Sequence, residues 1–223
     1  MIARGVYLYE MGLVPYREAL SVMTELAGAR TQGAIPDTVM LLEHEPVITL
    51  GSLADREAEL PLPDEDYARR GIDIVEVGRG GRSTYHGPGQ LVCYPIVELT
   101  DHDVHRYVRS LEQTVLATLA EYDLQGRTSD EPHQSGVWIE DRKIASIGVR
   151  CSRWVTSHGF SLDVDSDLSV HELFDACGLG GAGFTSIAQE TGTAVTAEDV
   201  RPVLKRSLAE ALDVSYDPLP VGA

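Results

Sequence analysis

The sequence predicts a single α+β domain: a mixed or antiparallel sheet flanked by helices. Segments of strand and helix character follow one another without the regular βα alternation of a doubly wound parallel sheet. The 223 residues are 43% apolar, enough to build one substantial core. No repeat or low-complexity stretch divides the chain, so one domain is expected over residues 1–223. Its motifs fall at about 38–190 and a C-terminal helix at about 196–212.

GVYLYE opens as a strand. In PYREALSVMTELAGAR, Tyr16, Ala19, Leu20, Met23 and Leu26 share one helical stripe, and Pro15 suits a first turn. DTVMLLEHEPVITLG is apolar and β-branched with Pro46 interrupting it, which predicts either two short strands around a tight bend or one strand and an irregular turn. LPLPDEDYARRG predicts a loop and a short helix, and GIDIVEVG a strand. GRGGRSTYHGPGQ reads as a glycine- and arginine-rich loop feeding the strand QLVCYPIVEL. In DHDVHRYVRSLEQTVLATLAEYDL, Val104, Tyr107, Val108, Leu111, Val115 and Leu119 recur at helical spacing, with Asp101 near the N-cap. GVWIEDRKIASIGVRCSRWVTSHGFSLDV predicts a hairpin turning at EDRK, then a third strand. SVHELFDACG predicts a short helix ending at glycine. TAEDVRPVLKRSLAEALDV opens on a capping-box pair, Thr196 and Asp199, and Pro202 is expected to strain or kink its early turns.

Composition narrows the function. A formal net charge of −17 argues against nonspecific nucleic-acid binding, which needs a dense positive footprint. Neither a signal-peptide core nor an apolar window of about 18 residues is present, which predicts a cytoplasmic protein. Cys93, Cys151 and Cys177 are odd in number and have no metal spacing, so free thiols are expected. A phosphate-binding Gly-Lys-Ser/Thr is absent. The G-x-G-x-x-G match at Gly178, Gly180 and Gly183 follows a helix-like run, where a dinucleotide site needs a strand. His102 and His105, at a helix start with no third ligand near in sequence, read as a solvated helix end and not as a metal site. His86 and His158 each precede a glycine. Either can pair with a thiol, although a histidine hydrogen-bonded beside a glycine turn is the simpler reading.

Among the thiols, Cys93 has apolar neighbours and reads as inert. Cys151 lies between arginines, which either lower its pKa or are ordinary outward neighbours on a strand. Cys177 precedes GLGGAG, where backbone amides can approach a developing oxyanion. It reads as a nucleophile, against the alternative of a small apolar residue closing a helix. A further signal is lysine usage: of 18 cationic residues only Lys143 and Lys205 are lysine. Arginine cannot give up its proton in a protein and lysine can, so position 143, at the head of KIASIGV, is a candidate proton carrier; the alternative is a solvated residue of the EDRK turn.

RGGRSTYHGPGQLVCYP, RKIASIGVR with TSHGFSLDV, and a Cys-Gly pair followed by TSI, together with EHEPVITLG, resemble the lipoyl(octanoyl) transferases. The resemblance implies a biotin/lipoate protein ligase-like fold, with no ATP, metal or cofactor requirement. It places the acyl-thioester cysteine on Cys177 and its partner lysine on Lys143. Substrate-binding segments fall on Arg79, Gly80, Gly81, Arg82, Ser83, Thr84, Tyr85 and His86, on Ser146, Ile147 and Gly148, and on Gly159, Phe160 and Ser161. It implies an octanoyl-acyl carrier protein as donor. The acceptors would be apo lipoyl domains of 2-oxoacid dehydrogenase complexes and the glycine cleavage H protein, served by a monomer. Ala176 and Glu45 stand where that family has proline, and Asp163 where it has asparagine. Such acidic partners would need a local basic patch, for which Arg79, Arg82, Arg142, Lys143, Arg150 and Arg153 are the candidates. The rivals are an ATP-dependent lipoate ligase or octanoyl amidotransferase of the same fold, and a noncatalytic protein that binds acylated domains.

Overall fold

Alternating apolar residues build one large sheet with two differently used faces. The computed structural model describes residues 4–129, 135–175 and 183–217. In chain order these form β1 (Arg4–Val14), α1 (Tyr16–Thr31), β2 (Thr38–His44), β3 (Val47–Leu50), α2 (Arg56–Glu59), α3 (Asp64–Arg69), β4 (Asp73–Glu76), β5 (Ser83–His86), β6 (Gln90–Ile96), α4 (Val104–Ala120), β7 (Arg127–Thr128), β8 (Gly136–Ile139), β9 (Arg142–Ser152), β10 (Val155–Asp163), a 3₁₀ turn (Leu168–Glu172), α5 (Ile187–Thr191), α6 (Ala197–Leu212) and β11 (Val214–Asp217).

The main sheet runs β11-β1-β2-β6-β10-β9-β8-β7. β1 pairs parallel with β2 and β11, and the other neighbours pair antiparallel, so the sheet is mixed. α4 and α6 cover one face. There Leu91, Cys93, Ile147, Phe160 and Leu162 meet Leu111, Val115, Leu119, Leu204 and Leu208 in the largest apolar cluster. α1 lies on the other face, where Ala19 and Met23 pack on Met40, Leu42, Val92 and Tyr94. A second sheet, β4-β3-β5, carries its own small core of Ile48, Leu50, Tyr67 and Tyr85.

The α+β class and most elements match the sequence expectations, with four local differences. β5 is a strand inside the segment expected to be a loop, because Ser83–His86 pairs antiparallel with β3. The cap of α4 is Asp103, whose side chain accepts from the Arg106 amide, two residues beyond Asp101. SVHELFDACG forms a 3₁₀ turn ending at Glu172, and its Cys177 and Gly178 lie outside the described residues. α6 has the expected capping box and runs through Pro202 without a break. Proline's missing amide and ring clash matter least close to a helix start, where few carbonyls precede it.

Candidate active site

Strand alternation on the α1 side of the sheet brings polar residues into a cleft that the strand composition alone would fill with core. Tyr16, Arg79, Thr84, His86, Tyr94, Ser146, Gly148, His158, Gly159, Phe160 and Ser161 line it. β9 and β10 contribute through facing pairs: Gly148 opposite Gly159 and Ser146 opposite Ser161. Ile147 and Phe160 send their side chains to the α4 core, so the middle residue of each expected three-residue segment offers only backbone. Tyr85 likewise points into the small core.

The Arg79 loop closes the cleft from β9's side. Arg79 is buried, and its guanidinium donates to Thr49 O and Oγ1 at 3.0 and 2.7 Å and to the Gly80 and Arg82 carbonyls at 3.0 and 2.9 Å. Gly80 N–H donates to Val149 O at 3.0 Å. A side chain at Gly148 would meet Gly80 O at 3.0 Å and Arg79 Cδ at 3.1 Å, so glycine permits this close approach. Gly81 turns the loop with φ 84° and accepts from Leu53 N–H. Arg82 pairs with Glu59 at 2.9 Å, and the same carboxylate takes the Ser83 amide. Gly80, Gly81, Arg82 and Ser83 therefore build the loop, while Arg79, Thr84 and His86 face the cleft.

Two hydrogen-bonded chains run behind this surface. His86 Nδ1–H donates to Gln90 Oε1 at 2.7 Å, and Gln90 Nε2 donates to Asp163 Oδ1 at 2.9 Å. Ser166 Oγ donates to that same oxygen at 2.5 Å. In parallel, His44 Nδ1–H donates to Val14 O at 3.2 Å and its Nε2 accepts from Tyr94 OH at 2.9 Å. A carbonyl can only accept, so these bonds fix both tautomers. Burial keeps both imidazoles neutral: His44 is pushed down to about 4, and His86 well below its ordinary value with His44 beside it. Burial also pushes the Asp163 carboxyl up to about 6, against the pull of Ser166, Gln90 and Lys143.

Lys143 reaches this side through a fault in alternation. Val137 pairs with Ala145 and Trp138 with Lys143, which leaves Ile144 as an extra residue in β9. Without that bulge Lys143 would share the α4 face with Ala145 and Ile147. It is 2% exposed, with Nζ 5.6 Å from the centre of the Trp138 ring. Its amide donates to Gly183 O and its carbonyl accepts from Thr185 N–H, both at 2.9 Å. Its charge also acts on His171, stacked on Phe184 with 3.6 Å between ring centres.

Cys177 lies outside the described residues, though the segment's two described flanks are both tied to the site. Asp175 N–H donates to Glu59 O, and Gly183 holds Lys143. Of the other thiols, Cys93 is fully buried and Cys151 half-buried, and burial raises both. For Cys151 this favours the reading of its arginines as ordinary neighbours on a strand. His86 is hydrogen-bonded as expected. His158 is not: both buried ring nitrogens lack a hydrogen-bond partner among the described residues.

The expected six-residue basic patch does not form. Arg79 and Lys143 are buried, Arg82 is paired with Glu59, and Arg142 is paired with Glu190 and Glu140. Arg150 and Arg153 remain on the surface. Sequence reading also missed Tyr16, His44, Tyr94 and Gln90 as site residues. The signal was a titratable or amide side chain inside a strand buried throughout, as at Gln90 and Tyr94 in β6.

The model of the lipoyl protein ligase A/B catalytic domain matches residues 15–209. An octanoyltransferase of Rubrobacter xylanophilus is 42% identical over 202 residues, covering 90% of each chain. One from Solibacter usitatus is 48% identical over 179 residues, covering 79% of this chain and 80% of its own. A bi-partite lipoate protein ligase of Thermoplasma acidophilum superposes with a TM-score of 0.73 at 17% identity, covering 99% of this chain and 88% of its own, which speaks for the fold. With this fold and these relatives, the chain belongs to the lipoyl protein ligase A/B catalytic family, among the octanoyltransferases.

Proposed function

We propose that the protein carries out the first step of protein lipoylation. It moves an octanoyl group from octanoyl-acyl carrier protein to the target lysine of apo lipoyl domains, through a thioester on Cys177 with Lys143 as acid and base. The observation that carries this reading is Lys143 itself. One of only two lysines in the chain, it is buried on the cleft side by a β-bulge and bound through its backbone to Gly183 and Thr185, just beyond the Cys177 segment.

The steps balance without ATP. Lys143 Nζ, in its amine form, takes the proton from Cys177 Sγ. The thiolate adds to the octanoyl thioester carbon. Collapse of the tetrahedral adduct breaks the carrier's C–S bond, and the departing thiolate takes the proton back from Lys143. The acceptor lysine's amine then adds to the Cys177 thioester and passes a proton to Lys143. Amide formation expels the Cys177 thiolate, which is reprotonated there.

Intact-mass measurement tests the thioester. After incubation with octanoyl carrier protein the enzyme gains one octanoyl group, labile to hydroxylamine, and loses it when apo lipoyl domain is added. Cys177→Ser gains no thioester. A labile adduct on Cys93 or Cys151, or a requirement for ATP, overturns the mechanism.

A further inference from the structure

His158 sits in the middle of β10, opposite Val149 in a regular antiparallel pair, yet its φ is +57°. Such a backbone is costly for a residue with a side chain and persists only where the surroundings impose it. Alternation would put its ring on the α4 face with Thr156 and Phe160. Instead the ring stands on the α1 face, 5.9 Å from the Tyr94 ring, and the His158 amide donates to Met23 Sδ at 3.1 Å. The side chain is 4% exposed, and neither ring nitrogen has a hydrogen-bond partner among the described residues. Buried polar atoms are ordinarily paired, so strain and unpaired nitrogens together mark a side chain held for its position and not for its own stability.

That position is a partition. On one side is the cleft, of about 20 Å³. On the other is a groove of about 460 Å³ between α1 and the β9–β10 hairpin, lined by Leu20, Met23, Ala27, Val77 and Val155 among others. His158 borders both spaces. An extended eight-carbon chain is about 10 Å long, the rise of about three strand residues. With Ile144 bulged out, a chain starting beside Lys143 and following β9 reaches the level of Ile147, two residues short of Val149, which faces His158. A longer chain meets the imidazole.

We propose that His158 is the specificity-determining residue for acyl chain length: its ring is the stop at the far end of the acyl cleft, and the groove beneath α1 is the space that the stop closes off. This rests on the acyl-transfer reading of the site, and names which acyl groups that site accepts.

His158→Gly tests it with little risk to folding, because glycine adopts φ +57° without strain. Transfer is measured with carrier proteins bearing acyl chains of eight, ten, twelve and fourteen carbons. In the wild type each methylene beyond about ten carbons lowers kcat/KM by about tenfold. In His158→Gly the ratio of dodecanoyl to octanoyl kcat/KM rises by at least about a hundredfold. Adding Ala27→Phe, which refills the groove from α1, restores the short-chain profile. An unchanged chain-length profile, or equal loss at every length, overturns the assignment. A broadened profile that Ala27→Phe leaves broad overturns the role of the groove.

Binding gives a readout separate from turnover. Dodecanoate raises the melting temperature of His158→Gly more than octanoate does, and the order is reversed in the wild type. If the wild type transfers no octanoyl group, the transfer reading falls. The melting comparison still decides the chain-length stop, and the same order of ligands in both proteins overturns it.

Discussion

The two faces of one sheet are built from adjacent residues of the same strands, and they are opposites. On the α4 side, Leu91, Cys93, Ile147, Phe160 and Leu162 alternate strictly, and burial pushes the Cys93 thiol up. On the α1 side, their neighbours Gln90, Tyr94, Ser146, Gly148, Ser161 and Asp163 meet Lys143, His44, His86 and His158. Stability is concentrated where alternation is undisturbed. Buried polar side chains are concentrated where it fails: at the Ile144 bulge that turns Lys143 inward and at the left-handed backbone of His158. Since neighbours along a strand face opposite ways, the rigid apolar side holds the reactive side in place.

If the two faces divide their tasks in this way, substitutions on each should fail differently. The largest effect belongs to Lys143. Lys143→Arg places a guanidinium, which cannot give up its proton, where the transfer needs an amine, so kcat for octanoyl transfer by the folded protein falls by about 10²–10⁴-fold. A rate within about tenfold of wild type would take Lys143 out of the chemistry. On the other face, Leu111 is fully buried in α4 against the sheet. Leu111→Ala should cost about 2–5 kcal/mol of stability through the cavity it leaves, while the folded fraction keeps its kcat. If kcat falls as steeply as stability, the faces are coupled and the division is wrong.

Much of this division was legible in the sequence. The helices follow from their periodicity, and Thr196 with Asp199 predicts the cap that α6 has. The glycines of the Arg79 loop and the placement of the rare Lys143 pointed to the candidate site without a structure. Alternation also explains why Ser146 and Gly148 face the cleft and Ile147 does not. What could not be read is where alternation stops. Nothing in KIAS announces that Ile144 is the extra residue, because bulge register is set by pairing with β8, not by local propensity. Nothing in SHGF announces that the left-handed residue is His158 and not the glycine after it. The basic patch failed for a related reason, since charge in sequence says nothing of which carboxylate folds beside it, and Glu59 and Glu190 came from distant segments.

Asp163 allows the comparison to be sharpened by pH. It is a fully reactive-side group, 4% exposed, and burial raises its carboxyl from an ordinary 3.8 to about 6. A raised carboxyl holds its proton more tightly in the folded chain than in the unfolded one. The folded state therefore loses stability as pH rises from about 4 through about 6, and above that carries the full cost of a buried carboxylate. Asparagine keeps the oxygen that accepts from Gln90 and Ser166 and adds no charge. Asp163→Asn should thus be more stable than wild type at pH 8 by on the order of 2 kcal/mol, with the advantage fading between pH 6 and pH 4. Urea unfolding of both proteins at pH 4, 6 and 8 measures it. A constant difference across that range would mean that Asp163 stays uncharged or is fully compensated by Lys143.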